Sequence, residues 1–282
     1  MSGVAIVTDS TSYLPKEMVE KYAITVVPVN VIIDGQVYEE GRDISPAEVA
    51  EALRESRMVS TSKPTPARFT QAYESLAEAG AKAIVSIHVS SDLSSTYDSA
   101  LLGSRDAPIP VTVVDSRTVS MGLGYAAADA AVAAAAGATA AQAGEVGLQT
   151  ALATSVLFYV DKLEYLRRGG RIGAAQRVIG SALAVKPILH VANGQVEPLE
   201  KVRTRGKAIS RLVDLAVEKA TPGPARIAIQ HLGAQNYAER MQAEINDQLP
   251  NDELVFGEIG AVVGAHVGPG MLSAIVSPGE PV

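Results

Sequence analysis

Two hydroxyl-rich turns are the parts of the sequence best suited to binding a ligand. Residues 90–99 follow the short apolar run 83–89, and helical spacing resumes from Tyr97. Residues 59–66 form the second turn, before a helix for which Thr65 is the predicted N-cap. Turns of this kind present free backbone N–H groups and hydroxyl donors, which suit an anionic head group. Helix capping alone is the alternative interpretation.

The second turn is stiffened by two prolines. Pro64 and Pro66 keep the residues before them out of the α region, so Thr61 and Ser62 are expected to lie in an extended approach to the helix. Two preorganised donor loops can therefore face one ligand.

Three predicted strands end in Asp or Ser before a helix, at Asp9-Ser10, Ser90-Ser91 and Asp115-Ser116. This alternation favours an α/β fold with a parallel sheet and ligands beyond the carboxyl ends of its strands. We interpret Asp9 and Asp115 as helix caps, and His88, inside an apolar strand, as a packed core residue.

The pattern changes after the apolar run 156–160. A hairpin around Asn193-Gly194 is followed by a helix predicted from about Ala208 to Lys219 and then by further strands. We therefore predict two domains: residues 1–157, an α/β domain with a parallel sheet that carries the donor loops, and residues 158–282, an α/β domain with a mixed or antiparallel sheet.

Composition excludes several classes of function. The 282-residue chain has a formal net charge of −7, which disfavours a broad nucleic-acid surface, and it has no cysteine, which rules out disulfides and fits a cytoplasmic protein. The four histidines are dispersed, so no metal site is expected. Walker, Rossmann and Gly-x-Ser-x-Gly patterns are absent. The alanine-rich stretch 125–141 predicts a buried helix, and no targeting segment is predicted.

Basic residues concentrate in two short clusters, residues 167–171 and residues 201–207. Against an acidic background, these clusters suit an anionic group or an acidic partner, although solvated surface is the alternative. His266 precedes Gly268-Pro269-Gly270, a turn that allows a close approach of the backbone, and we interpret it as a ligand contact.

Seven segments, in order along nearly the whole chain, resemble the motifs of the DegV family, the fatty-acid-binding family that includes the FakB subunits of bacterial fatty acid kinase. The segments are residues 9–15, 61–64, 90–97, 115–117, 165–172, 201–205 and 264–270.

The resemblance implies two α/β domains with a tunnel between them that holds one long-chain fatty acid, such as palmitate, and no cofactor. It implies hydrogen bonds to the carboxylate from Thr61 and Ser94, a contact from His266, and Ser62 and Ser95 nearby. It assigns Arg171, Arg203 and Arg205 to the head-group region or to docking of a partner. Ser95 and Lys63 depart from the family pattern, which often has Gly and Gln at these positions.

The function implied is that of a non-catalytic carrier. It would present the fatty acid carboxylate to a separate ATP-dependent kinase and hold the acyl phosphate for lipid synthesis, with transient contact to an acyltransferase or a membrane surface. Two alternatives stay open. One is an acyl hydrolase or transferase with Ser94 or Thr61 as nucleophile and His266 as base. The other is a phosphosugar-binding module that uses the basic clusters.

Overall fold

The computed structural model describes residues 3–178, 186–221, 223–250 and 253–279. The strands within them are β1 (Val4–Asp9), β2 (Thr25–Val27), β3 (Asn30–Ile33), β4 (Gln36–Glu39), β5 (Val59–Ser62), β6 (Ala83–His88), β7 (Val111–Asp115), β8 (Ser155–Tyr159), β9 (Lys186–Ala192), β10 (Gln195–Val202), β11 (Ala225–His231), β12 (Glu253–Glu258) and β13 (Leu272–Pro278). The helices are α1 (Lys16–Lys21), α2 (Pro46–Arg54), α3 (Pro66–Glu78), α4 (Thr96–Gly103), α5 (Met121–Ala135), α6 (Ala140–Ala153), α7 (Glu164–Arg168), α8 (Arg205–Ala220), α9 (Gln235–Gln248) and α10 (Ala261–Val267).

Local signals in the sequence set several of these boundaries. Ser45 and Glu48 form a complete capping box at the start of α2, with Pro46 in the first turn. Thr139 and Gln142 exchange the same pair of hydrogen bonds before α6. Helix α8 begins at Arg205 rather than near Ala208 as expected, because the Thr204 side chain accepts a hydrogen bond from the Lys207 N–H and caps the helix earlier.

One compact unit comprises residues 3–30 and 62–153 of the described chain. Its sheet is parallel, with strand order β2-β1-β6-β7, as the strand–turn–helix alternation predicts. The register places Val7 beside Ser86 and His88 beside Asp115. The carboxyl ends of β1, β6 and β7 therefore meet at one edge, where the polar residues that follow them gather.

Helices cover both faces of this parallel sheet. Phe69 and Tyr73 of α3 pack with Val7 and Ile84 of the strands in one apolar cluster. On the other side, Gly144 and Gly147 of α6 let that helix approach the sheet and α5 closely, because an added Cβ at either would meet strand or α5 atoms. In the described part of the chain, no helix combines the length and apolar character needed to cross a membrane.

The other unit comprises residues 31–61 and the described residues from 154 to 279. Its six-stranded sheet has the order β10-β9-β8-β13-β11-β12, and only the β11–β12 pair is parallel. The predicted mixed sheet is thus confirmed, and Asn193-Gly194 forms the hairpin turn between β9 and β10. A smaller sheet, β4-β3-β5, belongs mainly to the same unit.

The division into these two units differs from the single domain boundary after residue 157 that the sequence predicts. Residues 31–61 join the second unit because α2 packs against α10 and because the buried Glu40 carboxylate accepts a 2.7 Å hydrogen bond from the Val262 N–H, in the first turn of α10. The sequence pattern of this segment is strand and helix, like that of its neighbours, and therefore does not indicate which sheet it joins.

Candidate functional site

Two of the predicted ligand residues meet in the second unit. Thr61 lies near the end of β5, and His266 is the next-to-last residue of α10. Their side chains are 2.9 Å apart, from Thr61 Oγ1 to His266 Nε2, and both residues are half-buried. The pair thus brings a hydroxyl and an imidazole side by side in partly exposed surroundings.

The His266 ring packs against the end of α7. An added Cβ on Gly169 would lie 2.1 Å from His266 Nδ1, so the ring occupies the space that a side chain at position 169 would need. Arg171 donates a 2.6 Å hydrogen bond to the Gly169 carbonyl oxygen. Burial, with a contribution from the positive charge of Arg171, lowers the pKa of His266 to about 4. His266 is therefore neutral near pH 7.

The tautomer of His266 decides what Thr61 can donate. If Nε2 carries the proton, His266 donates to Thr61 Oγ1, and the Thr61 hydroxyl proton is free for a ligand. If Nδ1 carries it, the Thr61 hydroxyl must donate to Nε2 and has no proton left for an acceptor. Within the described residues, His266 Nδ1 has no hydrogen-bond partner, so nothing there enforces the second tautomer.

The lowered pKa of His266 leads to a prediction about stability. Between pH 6.5 and about 4, the unfolded chain binds a proton at this residue that the folded protein does not bind. The free energy of unfolding should therefore fall over this window as pH is lowered, by about 3 kcal/mol from this residue. Urea unfolding at pH 7, 5.5 and 4.5 tests it with His266→Gln as the control. Equal pH slopes for the two proteins would contradict the assignment.

The first unit carries the other hydroxyl donors, in the loop from β6 to α4. The Ser94 N–H donates to the Ser90 carbonyl oxygen, and Ser94 Oγ lies 2.8 Å from Thr96 Oγ1 and accepts a hydrogen bond from the Thr96 N–H. Thr96 is buried, whereas Ser94 is half-buried and Ser95 is exposed. If Thr96 donates to Ser94, the Ser94 hydroxyl keeps its own proton for a ligand. Ser95 is the N-cap of α4, although its side chain makes no capping hydrogen bond.

Ser62, the last residue of β5, belongs to the first unit, and its Oγ lies 3.5 Å from Asn30 Nδ2. Thr65 is at the predicted N-cap position of α3, but its side chain makes no capping hydrogen bond. The Asn30 contact carried no sequence signal, because it joins residues that are 32 positions apart.

The three predicted arginines differ in their surroundings. Arg171 is tied to the carbonyl beside His266, as described above. Arg203 lies exposed in the bend between β10 and α8. Arg205 forms an ion pair with Asp161, whose Oδ1 also accepts a 2.5 Å hydrogen bond from the Tyr159 hydroxyl, and its guanidinium stacks over Tyr237 at 4.9 Å. Arg205 is thus engaged within its own unit.

The strand-end carboxylates lie in turns rather than in a metal site. Asp9 caps the 3₁₀ turn of residues 10–12, as predicted. Asp115 accepts hydrogen bonds from Ser91 and Arg117, so it caps a turn and not the predicted helix. In the residues that the structure describes, no group of three or more His, Asp or Glu side chains could hold a metal ion.

The fold and these donor-rich turns define a two-domain α/β protein with a parallel sheet in one domain and a mixed sheet in the other. The DegV family model matches residues 3–279. A DegV domain-containing protein of Streptomyces coelicolor is 49% identical over 97% of this chain and 98% of its own length. The chain belongs to the DegV family.

Solved structures of the family superpose closely. DegV from Bacillus subtilis, described as a fatty acid binding protein, has a TM-score of 0.91 and 34% identity over 99% of this chain and 100% of its own. A DegV family protein from Thermus thermophilus, described by its fatty acid binding, has a TM-score of 0.89 and 31% identity over 98% and 99% of the two chains.

Proposed function

We propose that the protein binds a long-chain fatty acid and presents its carboxylate to a separate ATP-dependent kinase, without catalysing the transfer itself. Fatty acid binding is supported by the relatives from Bacillus subtilis and Thermus thermophilus, which match nearly the whole chain. The observation in this chain that carries the proposal is the contact between Thr61 and neutral His266, which can leave a hydroxyl proton for an anionic acceptor.

In this proposal the tail drives affinity and the donors set orientation. A chain of about 15 methylenes, at roughly 0.8 kcal/mol each, has a gross transfer free energy on the order of 12 kcal/mol. Hydroxyl hydrogen bonds to a carboxylate contribute less, about 1.5–3 kcal/mol each. Thr61 and Ser94 are the principal donors, with Ser62, Ser95 and His266 near the head group, and no cofactor is required.

The primary test is to identify what the protein retains. Mass spectrometry of an organic extract, from protein purified without added lipid, is expected to show one long-chain fatty acid per chain. The same protein incubated with palmitate should bind it stoichiometrically. An empty extract and no palmitate binding would remove the proposed function.

Two substitutions of Thr61 distinguish the contribution of its hydroxyl group to binding from the contribution of its side-chain volume. We expect Thr61→Val to weaken palmitate binding about tenfold, because the isosteric side chain cannot donate to the carboxylate. Thr61→Ser keeps the hydroxyl and should bind like the wild type. Isothermal titration with both variants checks this, and equal affinities for Val and Ser at this position would refute the donor role.

The acyl hydrolase alternative has some geometric basis, since Thr61 and His266 are within hydrogen-bond distance. A catalytic base, however, needs a pKa near the working pH and a group that orients its second nitrogen. His266 has a pKa of about 4, and its Nδ1 lacks a partner among the residues described. Both facts favour binding over nucleophilic catalysis. Turnover of an acyl ester without any partner would reverse this preference.

The kinase partnership rests on the family resemblance and on the exposed position of Arg203. We expect Arg203→Ala to reduce kinase-dependent formation of acyl phosphate while leaving palmitate affinity and thermal stability unchanged, because the residue is exposed. Arg205→Ala should instead lower the free energy of unfolding by about 1–2 kcal/mol, since it leaves Asp161 without its cation. Parallel assays of phosphorylation, binding and melting distinguish the two arginines. An Arg203→Ala protein that is phosphorylated at the normal rate would rule out docking at this position.

An ATP-dependent partner implies a cytoplasmic setting for the proposed function. Transfer of the acyl group onward to lipid synthesis would bring the protein into transient contact with an acyltransferase or a membrane surface.

A further inference from the structure

A chain of four buried polar side chains lies beneath the Ser94 loop in the first unit. Asp9 Oδ2 is 3.0 Å from His88 Nδ1, His88 Nε2 is 2.7 Å from Ser86 Oγ, and Ser86 Oγ is 2.9 Å from the Tyr73 hydroxyl. All four residues are fully buried. The fold brings them together because Asp9 and His88 end adjacent parallel strands, while Tyr73 reaches them from α3.

The order of these groups resembles a hydrolytic triad, but the surroundings exclude that role. The Ser86 hydroxyl has no exposed surface, and it is within hydrogen-bond distance of both His88 Nε2 and the Tyr73 hydroxyl. Burial raises the pKa of Tyr73 to about 12, so its hydroxyl stays protonated and can donate. No substrate can reach Ser86 while Tyr73 and Phe69 cover the network.

The hydrogen bonds in this network have a consistent direction. His88 faces a carboxylate through Nδ1, so Nδ1 carries the proton and donates to Asp9. With this tautomer Nε2 can accept from the Ser86 hydroxyl, and the Tyr73 hydroxyl can then donate to Ser86. In this arrangement each group in the network donates toward Asp9.

The Asp9 carboxylate accepts hydrogen bonds from the backbone just beyond the ends of two neighbouring strands, β1 and β6. Its Oδ1 accepts from the Thr11 N–H and the Thr11 hydroxyl, and its Oδ2 accepts from His88 and from the Val89 N–H at 3.0 Å. A carboxylate can accept all four hydrogen bonds, whereas an amide offers a single oxygen. Asp9 thus fixes the residue at which the chain leaves β6 and enters the donor loop.

Backbone hydrogen bonds within the loop connect the end of β6 to Ser94. The next residue, Ser90, is fully buried, and its N–H donates to the Thr118 carbonyl oxygen at 2.9 Å. The Ser90 carbonyl oxygen accepts from the N–H groups of Leu93 and Ser94. Asp9 is thus connected to Ser94 by the hydrogen bond from the Val89 N–H, the peptide bond from Val89 to Ser90, and the hydrogen bond from the Ser94 N–H to the Ser90 carbonyl oxygen. The direction of the Ser94 hydroxyl therefore depends on where the chain leaves β6.

We propose that Asp9 and His88 are positioning residues, which hold the Ser90–Ser94 loop so that the Ser94 hydroxyl is directed at the carboxylate of the bound fatty acid. The inference rests on the proposed function, because it assigns these buried residues to head-group recognition. They do not contact the ligand. They affect how strongly the protein prefers a free fatty acid over a neutral analogue with the same tail.

The test measures the ratio of affinities for palmitate and methyl palmitate, which share the tail and differ in the head group. Asp9→Asn should reduce the preference for the free acid at least fivefold and leave methyl palmitate binding nearly unchanged. Asp129→Asn is the matched control, because Asp129 is equally buried in the same unit and accepts a hydrogen bond from Thr150 on α6. This control should keep the wild-type ratio.

His88 provides a second pair of variants and a spectroscopic readout. His88→Asn can still donate to Asp9 and should restore part of the acid preference that His88→Ala loses. In wild-type protein, the ¹⁵N shifts of His88 should show a protonated Nδ1 and an unprotonated Nε2, and Asp9→Asn should change this pattern.

The outcomes are distinguishable. An Asp9→Asn protein with the wild-type ratio, or one in which both ligands weaken equally, overturns the positioning role. If wild-type protein binds neither ligand, or binds both with equal affinity, the proposed recognition of a carboxylate fails instead.

Discussion

Gly169→Ala should weaken palmitate binding at least thirtyfold, or about 2 kcal/mol, while changing the stability of the fold very little. The new methyl carbon would lie 2.1 Å from His266 Nδ1 and 2.9 Å from Cε1, closer than such atoms can approach. The backbone at position 169 is helical, with φ of −75°, and therefore accepts alanine without strain. The His266 ring must move instead, and its contact with Thr61 is lost.

Gly206→Ala is the matched control for this change. Gly206 lies in the first turn of α8, and an added Cβ there meets no atom within 4 Å. Alanine at this position should preserve palmitate affinity and slightly favour the helix. Calorimetric titration and thermal melting of both variants measure the two effects. If Gly169→Ala binds palmitate as tightly as Gly206→Ala, the His266 ring has no role in holding the ligand.

Gly147→Ala should reduce the free energy of unfolding by about 3 kcal/mol relative to Gly144→Ala. Both glycines lie in α6, three residues apart, so the gain in helix propensity of about 1 kcal/mol is common to the two changes. At position 147 the added Cβ would be 2.6 Å from Ile87 Cδ1 and 2.9 Å from the Ala126 carbonyl oxygen. The carbonyl belongs to the backbone of α5 and cannot yield without moving that helix.

Position 144 differs because its nearest neighbours are side-chain methyl groups. The closest, Val114 Cγ2, is 3.3 Å from the added Cβ, a distance that small side-chain shifts can relieve. Urea unfolding followed by circular dichroism compares the two variants directly. Equal stabilities would mean that α5 and α6 adjust to an extra methyl group at their crossing, contrary to the close packing described above.

Much of the fold could be predicted from local chemistry. The capping box of Ser45 and Glu48, the hairpin turn at Asn193-Gly194 and the parallel sheet of the first unit are each set by residues close in sequence or by strand–helix alternation. Helix α10 was not predicted. It is only seven residues long, and three of these are valine and one is glycine, so its sequence has no strong helical signal.

The candidate site was predictable in its residue types but not in its contacts. Thr61 and His266 are 205 positions apart, and only the fold brings them together. The packing of Gly169 against His266 carries no sequence signal, since a glycine after a short basic helix is equally typical of a helix end. Arg203 and Arg205 belong to the same basic run, yet within the described residues only Arg205 has an ion-pair partner, Asp161, which lies 44 residues earlier in the chain.

The discontinuous second unit has a consequence for synthesis on the ribosome. Residues 31–61 emerge before the whole remainder of that unit, and the strands and α10 that complete it appear only after residue 154. Glu40, which accepts a hydrogen bond from the first turn of α10, and Thr61, which contacts His266, therefore cannot form these contacts until the last tenth of the chain is synthesised. A fragment beginning at residue 154 would lack both, so the second unit can be produced separately only if residues 31–61 are supplied to it.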